Sequence, residues 1–165
     1  IYISGGEPLM HEGVVSFLQY AKTLNYKIKI HTNGMFYERL KTILLQQLVD
    51  HVSLDIKNAP SAYAKTCGVE DMNLKDIEKS LSLLKKSLVP YDICVTLVDE
   101  LHNEATIQEL GQWIQGVDTV ILQPFEDSET TIDHSLHRPS FEMVLKYKKI
   151  LEKYVKYVKI RGNQA

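Results

Sequence analysis

The turn Gly5-Gly6-Glu7-Pro8 follows directly on the apolar run Ile1-Tyr2-Ile3-Ser4. Adjacent glycines let the main chain come close to a ligand. Glu7 sets a carboxylate where the run ends, and Pro8 stops a strand from continuing. In α/β folds ligands bind beyond the carboxyl ends of strands, so this turn is a candidate ligand site. Other polar groups follow apolar runs in the same way: His31, Thr32, Asn33 and Gly34; Asp55, Lys57 and Asn58; Asp99, Glu100, His102 and Asn103; and Gln123. Taken singly, each reads as a cap or a turn. Taken together on one rim of a parallel sheet, they read as a site.

Asp55 and Lys57 are two residues apart, and on a strand such residues share a face. Facing an interior, the two charges need each other or a charged ligand; the alternative is a structural ion pair on the rim. Asp133-His134-x-x-His137 has the residue types of a metal site but lies in a loop with no third ligand in a required position, so metal binding is not expected there. Cys94 sits between Ile93 and Val95 and reads as a buried thiol, with Cys67 isolated from it.

The elements that would position these groups alternate. Strands are predicted at Ile1–Ser4, Tyr26–His31, His51–Ile56, Tyr91–Val98, Thr119–Gln123 and Val155–Ile160. Helices are predicted at about His11–Leu24, Tyr37–Leu48, Leu74–Ser87 with Asn73 as N-cap, from Asn103 as cap through Ile114, and from Pro139 to about Tyr154. Asn58–Met72 reads as loop with at most a turn of helix, and Pro124–Arg138 as a polar loop. Strict strand–helix alternation demands right-handed crossovers and a parallel sheet. The expectation is a single α/β domain over residues 1–165.

The chain has 165 residues, 44% hydrophobic, with a net charge of −2, which gives no drive toward nucleic acid or an anionic membrane. Two cysteines make no disulfide framework and suit a reducing, cytoplasmic setting. No run approaches the ~20 apolar residues of a membrane span. Lysines near the C-terminus, from Lys146 to Lys159, read as a solvated helix face.

The chain resembles the radical S-adenosylmethionine (SAM) family. The resemblance rests on Gly5-Gly6-Glu7-Pro8, Thr32-Asn33-Gly34 and Asp55-Ile56-Lys57, each after a strand. It is nearest to the glycyl-radical-enzyme activases. Within these it is similar to the anaerobic ribonucleoside-triphosphate reductase activating proteins, through Thr96–Asn103, Leu122–Phe125 and Lys159–Gly162.

The resemblance implies a partial (β/α)6 barrel, of which this chain holds the strands after the first. It implies SAM and a [4Fe–4S] cluster as cofactors, with SAM cleaved reductively to a radical that generates a glycyl radical on a partner. That partner would be an anaerobic ribonucleotide reductase, with flavodoxin or ferredoxin as electron donor. Gly5, Gly6 and Glu7 would hold the SAM amino group, Asp55 and Lys57 would lie near its carboxylate, and Thr32 and Asn33 would sit beside them. The family's three cluster cysteines, expected before Ile1, are not in this sequence, so the chain reads as a fragment that is inactive alone, without a metal ligand of its own. A second departure is His31, which stands where close relatives often carry aspartate.

Other readings are a non-catalytic barrel used for binding or regulation, a radical SAM enzyme of another class such as pyruvate formate-lyase activase, and an unrelated barrel enzyme acting on a phosphorylated substrate. No glycine-rich loop opens a helix as a phosphate cradle would need.

Overall fold

The structure is a computed structural model that describes residues 1–129, 131 and 133–162. Residues 130 and 132 of the expected polar loop, and 163–165 of the expected domain, lie outside the described residues. The strands are β1 (Tyr2–Ile3), β2 (Lys29–Thr32), β3 (His51–Asp55), β4 (Tyr91–Leu97), β5 (Thr119–Pro124) and β6 (Tyr157–Ile160). The helices are α1 (Val14–Thr23), α2 (Tyr37–Leu45), α3 (Pro60–Thr66), α4 (Lys75–Lys85), α5 (Glu104–Trp113) and α6 (Phe141–Leu151), with a 3-10 turn at Pro8–Met10. Strand order follows sequence order in one six-stranded parallel sheet, the α/β class that alternation predicts.

The chain divides into two compact units. The first comprises residues 1–55 and 73–92, the second 56–72 and 93–165.

In the first unit, β1 pairs with β2 and β2 with β3, with Lys29 opposite His51 and His31 opposite Ser53. Alternation then sorts the side chains. Ile30, Val52 and Leu54 are completely buried, while Lys29, His31, His51, Ser53 and Asp55 take the opposite face. Helix α1 buries Val14, Leu18 and Ala21, and α4 buries Ile77, Leu81 and Leu84, at the i, i+4, i+7 spacing of a core stripe.

In the second unit β4 pairs with β5, and β5 with β6. Helix α5 opens with a capping box, in which Asn103 Oδ1 accepts from the Thr106 amide and Thr106 Oγ1 accepts from the Asn103 amide. Its Gly111 lies where a Cβ would run into the Tyr154 ring.

Several boundaries differ from expectation. Asn58–Met72 contains a seven-residue helix, α3, started by Pro60 and packed on α5 through an edge-on Tyr63–Trp113 contact at 6.0 Å. The helix from His11 begins only at Val14, because Pro8–Met10 takes the 3-10 turn. Leu74 rather than Asn73 is the N-cap of α4; Asn73 instead accepts from the Lys75 amide. Pro139 precedes α6, which Ser140 caps through the Met143 amide. β2 extends one residue further than predicted, to Thr32, and starts later, at Lys29.

Candidate functional site

The Gly5-Gly6 turn requires glycine for its backbone, with φ of +91° and +52°. A Cβ at either position would meet nothing within 4 Å. Open space and not crowding surrounds these two peptides, and Gly5 lines a cavity of about 300 Å³ with Ile3, Ser4, Pro8, Val14 and Phe17.

Glu7 is the hub of the turn. Its Oε1 accepts from the Leu9 amide at 3.0 Å and from Thr32 Oγ1 at 2.7 Å, and its Oε2 accepts from the Asn33 amide at 2.7 Å. The half-buried carboxylate therefore joins the end of β1 to the end of β2. The 3-10 turn that follows is held from α2: Arg39 Nη1 donates to the carbonyls of Leu9, at 2.5 Å, and Met10, at 2.7 Å.

Thr32 is buried. Its hydroxyl accepts from the Gly34 amide at 3.2 Å while donating to Glu7. Asn33 Oδ1 accepts from the Met35 amide, closing a small side-chain turn. Asp55 is the last residue of β3 and stands one position beyond the Thr32–Leu54 register pair. Gly5, Gly6, Glu7, Thr32, Asn33 and Asp55 thus belong to one unit, at the carboxyl ends of β1, β2 and β3.

Lys57 belongs to the other unit and lies two residues past the end of β3. The strand geometry that would give Asp55 and Lys57 one face ends at Asp55. Lys57 is set by its main chain: its carbonyl accepts from His102 Nε2 at 3.0 Å. The Val98 amide donates to His102 Nδ1 at 3.1 Å, so the neutral ring with its proton on Nε2 serves both partners. Burial pushes the His102 imidazole below its ordinary pKa, against the opposing pull of the Lys57 and Val98 carbonyls. The buried Tyr147 hydroxyl donates to the His102 carbonyl at 2.9 Å, and buried Asn58 donates to the Leu101 carbonyl at 2.7 Å. His102 and Asn58, expected on a rim, are internal braces.

The other expected rim groups separate. Asp99 takes the His137 carbonyl on its amide, and Glu100 accepts from both the His137 amide and Nδ1. His137 is thereby held protonated above its ordinary pKa, chiefly by the Glu100 hydrogen bond. His134 pairs with Asp127. His31 shares a hydrogen bond with Tyr2 through Nδ1 at 2.8 Å.

Sequence reasoning missed a buried charge cluster at the other end of the strands. Asp92 Oδ2 accepts from Lys29 Nζ at 3.0 Å and lies 2.7 Å from His51 Nε2; Oδ1 accepts from Ser53 Oγ at 2.5 Å. Burial raises the carboxyl's proton affinity, and the Ser53, His51 and Lys29 hydrogen bonds more than reverse it. The signal was the polar alternation of Lys29, His51 and Ser53 against Ile30, Val52 and Leu54.

The cofactors implied by the resemblance meet two different outcomes. The exposed, unobstructed Gly5-Gly6 peptides and the adjacent carboxylate fit an ammonium-bearing ligand such as SAM. The cluster does not fit: it needs three closely spaced thiolates, whereas the chain has two cysteines, Cys67 exposed and Cys94 buried. Among the described residues no group of three or more metal-binding side chains occurs, and the loop pattern at Asp133-His134 forms no such group.

No family model matches the chain. It is 29% identical over 167 aligned positions to a protein of Methanocaldococcus jannaschii provisionally named as a glycyl-radical enzyme activating enzyme, covering 98% of this chain and 70% of that one. Among solved structures, a domain of pyruvate-formate lyase-activating enzyme from Bacteroides vulgatus matches with a TM-score of 0.78 at 19% identity, over 98% of both chains. A radical SAM methyltransferase from Sphaerobacter thermophilus matches at 0.76 and 15% identity, over 97% of this chain and 49% of the other. The solved structures show the fold, an open parallel α/β sheet shared with radical SAM proteins. The sequence relative supports a relationship to the radical SAM activases.

Proposed function

We propose that this chain is the SAM-binding part of a radical SAM activating enzyme that generates a glycyl radical on a partner protein. The observation that carries the reading is the Gly5-Gly6-Glu7 turn, with two open peptides beside a carboxylate fixed by three donors. The similarity to the Methanocaldococcus jannaschii protein supports it. The partner is proposed as an anaerobic ribonucleotide reductase, in a cytoplasmic setting and with flavodoxin or ferredoxin as electron donor. This finer assignment rests on Thr96–Asn103, Leu122–Phe125 and Lys159–Gly162. Among the described residues no helix is long and apolar enough to cross a membrane.

When bound, SAM supplies the radical chemistry; the protein's own task is placement. The open peptides of Gly5 and Gly6 receive the ammonium group beside Glu7, which needs hydrogen-bond acceptors. Thr32 and Asn33 hold the Glu7 carboxylate in one orientation. Asp55 and Lys57 are proposed near the ligand's carboxylate, where the Lys57 ammonium supplies the charge complement. These residues act on the SAM side alone, since the chain lacks the thiolates of a cluster.

The test is calorimetric titration of the chain with SAM. Saturable binding that weakens at least tenfold in Gly6→Val supports the reading. No binding by the unaltered chain refutes it.

A further inference from the structure

We propose that Ser80, on α4, is a positioning residue that orients the Glu7 carboxylate through the Asn33-Gly34 turn; its consequence for ligand binding rests on the SAM reading above. Ser80 is completely buried, and its hydroxyl donates to the Gly34 carbonyl at 2.7 Å. The Gly34 amide donates to Thr32 Oγ1, and Thr32 Oγ1 donates to Glu7 Oε1. The Asn33 amide, between them, donates to Glu7 Oε2. Ser80 is thus tied by an unbroken run of hydrogen bonds to a carboxylate far from it in sequence.

Geometry leaves this run little freedom. Gly34 has φ of +79°, and a Cβ there would lie 2.7 Å from Leu54 Cδ1 and 3.4 Å from Ser80 Cβ. The turn is therefore pressed between β3 and α4. A threonine hydroxyl has one proton. Because the Gly34 amide occupies one of its lone pairs, that proton is free to point at Glu7. Donors aligned in sequence also polarise one another. Removing the Ser80 hydroxyl leaves the Gly34 carbonyl without this donor in a buried site, and the turn can then roll. Rolling takes the Gly34 amide off Thr32 and the Asn33 amide off Glu7 together. Simple packing by Ser80 predicts no effect beyond the turn itself.

The Leu9 amide reads the far end of the run, because it donates to Glu7 Oε1. The experiment is amide hydrogen exchange by NMR on the full chain, with SAM titration by calorimetry alongside. In Ser80→Ala the amides of Gly34, Asn33 and Leu9 are expected to exchange at least tenfold faster, while those of Val52 and Leu54 keep their rates. The Kd for SAM is expected to rise at least fivefold. Thr32→Val, which keeps shape but removes the hydroxyl, is expected to do the same at Leu9, and Thr32→Ser to restore the unaltered rate. Ser80→Cys, with its shape and a weak donor, stands in if the alanine variant does not fold, and an intermediate effect is expected.

Unchanged Leu9 and Asn33 exchange in the Ser80 variants overturns the proposal, whatever happens to SAM binding. Accelerated exchange in an unaltered chain's variants, with no SAM bound by the unaltered chain, upholds the relay and refutes the SAM reading instead.

Discussion

His102 Nε2 donates to the Lys57 carbonyl at 3.0 Å, so a histidine that follows β4 fixes the main chain of a lysine that follows β3. The ring works neutral, with its other nitrogen taken by the Val98 amide. An unfolded histidine titrates near its ordinary value of 6.5, while the folded one resists protonation. Stability from this group is full above pH 6.5 and falls as pH drops toward the lowered folded value. His137 works in the opposite sense: its pairing with Glu100 favours the fold below pH 6.5 and is lost as pH rises through its raised value. Urea unfolding between pH 5 and 8 is expected to show a loss on the acid side that disappears in His102→Gln, and that steepens in His137→Asn. An acid limb unchanged by His102→Gln counts against this account.

Arg39 closes the Pro8–Met10 turn through two carbonyls. In Arg39→Met the aliphatic stem is kept and both charge-assisted bonds are lost, at about 1.5–3 kcal/mol each at most and less where water replaces them. Expected are faster amide exchange at Met10 and His11, and weaker SAM binding, with α2 intact by circular dichroism. Unchanged exchange at Met10 would show that the turn stands without Arg39.

Gly34 and Gly5 make a matched pair. Both have positive φ, so alanine strains each backbone by about 1–3 kcal/mol. Only at Gly34 does the added methyl also overlap a neighbour, Leu54. Gly34→Ala is expected to destabilise more than Gly5→Ala in denaturant titration. Equal losses would mean that Leu54 moves aside freely.

The difference between what could and could not be read from the residues follows distance along the chain. The alternation of apolar runs yields a parallel sheet because each strand and helix is a local pattern. Glu7, Thr32 and Asn33 could be grouped because parallel strands bring their carboxyl ends together. That Thr32 and Asn33 would bind Glu7 itself was not visible, since it depends on how closely β1 and β2 end. Ser80 and Arg39 lie on helices where nothing local separates them from surface polar residues. Helix α3 was hidden by its length and by flanking Pro60 and Gly68. The Asp55–Lys57 relation was overextended, because alternation holds only while the strand lasts.

Asp92 is buried and collects Lys29, His51 and Ser53. Asp92→Ala leaves Lys29 and His51, each about one-third exposed at the side chain, able to turn to water. The cost is therefore expected at about 1–3 kcal/mol, below the roughly 3–5 kcal/mol of a fully enclosed broken pair. Chemical denaturation measures it, and a neutral result would show the cluster to be dispensable.

That cluster also works as a keyed alignment. Lys29 and His51 stand opposite each other in adjacent strands, and Asp92 meets both on a single oxygen. If β3 slid by one residue, every side chain would change faces: the carboxylate would meet Val52 and Leu54, and His51 and Ser53 would be driven into the apolar layer. The apolar residues alone would tolerate such a slip poorly but could still find contacts; a stranded charge could not. Misaligned assemblies of these strands are penalised by this one side chain, which makes Asp92 a proofreader of folding as much as a contributor to stability.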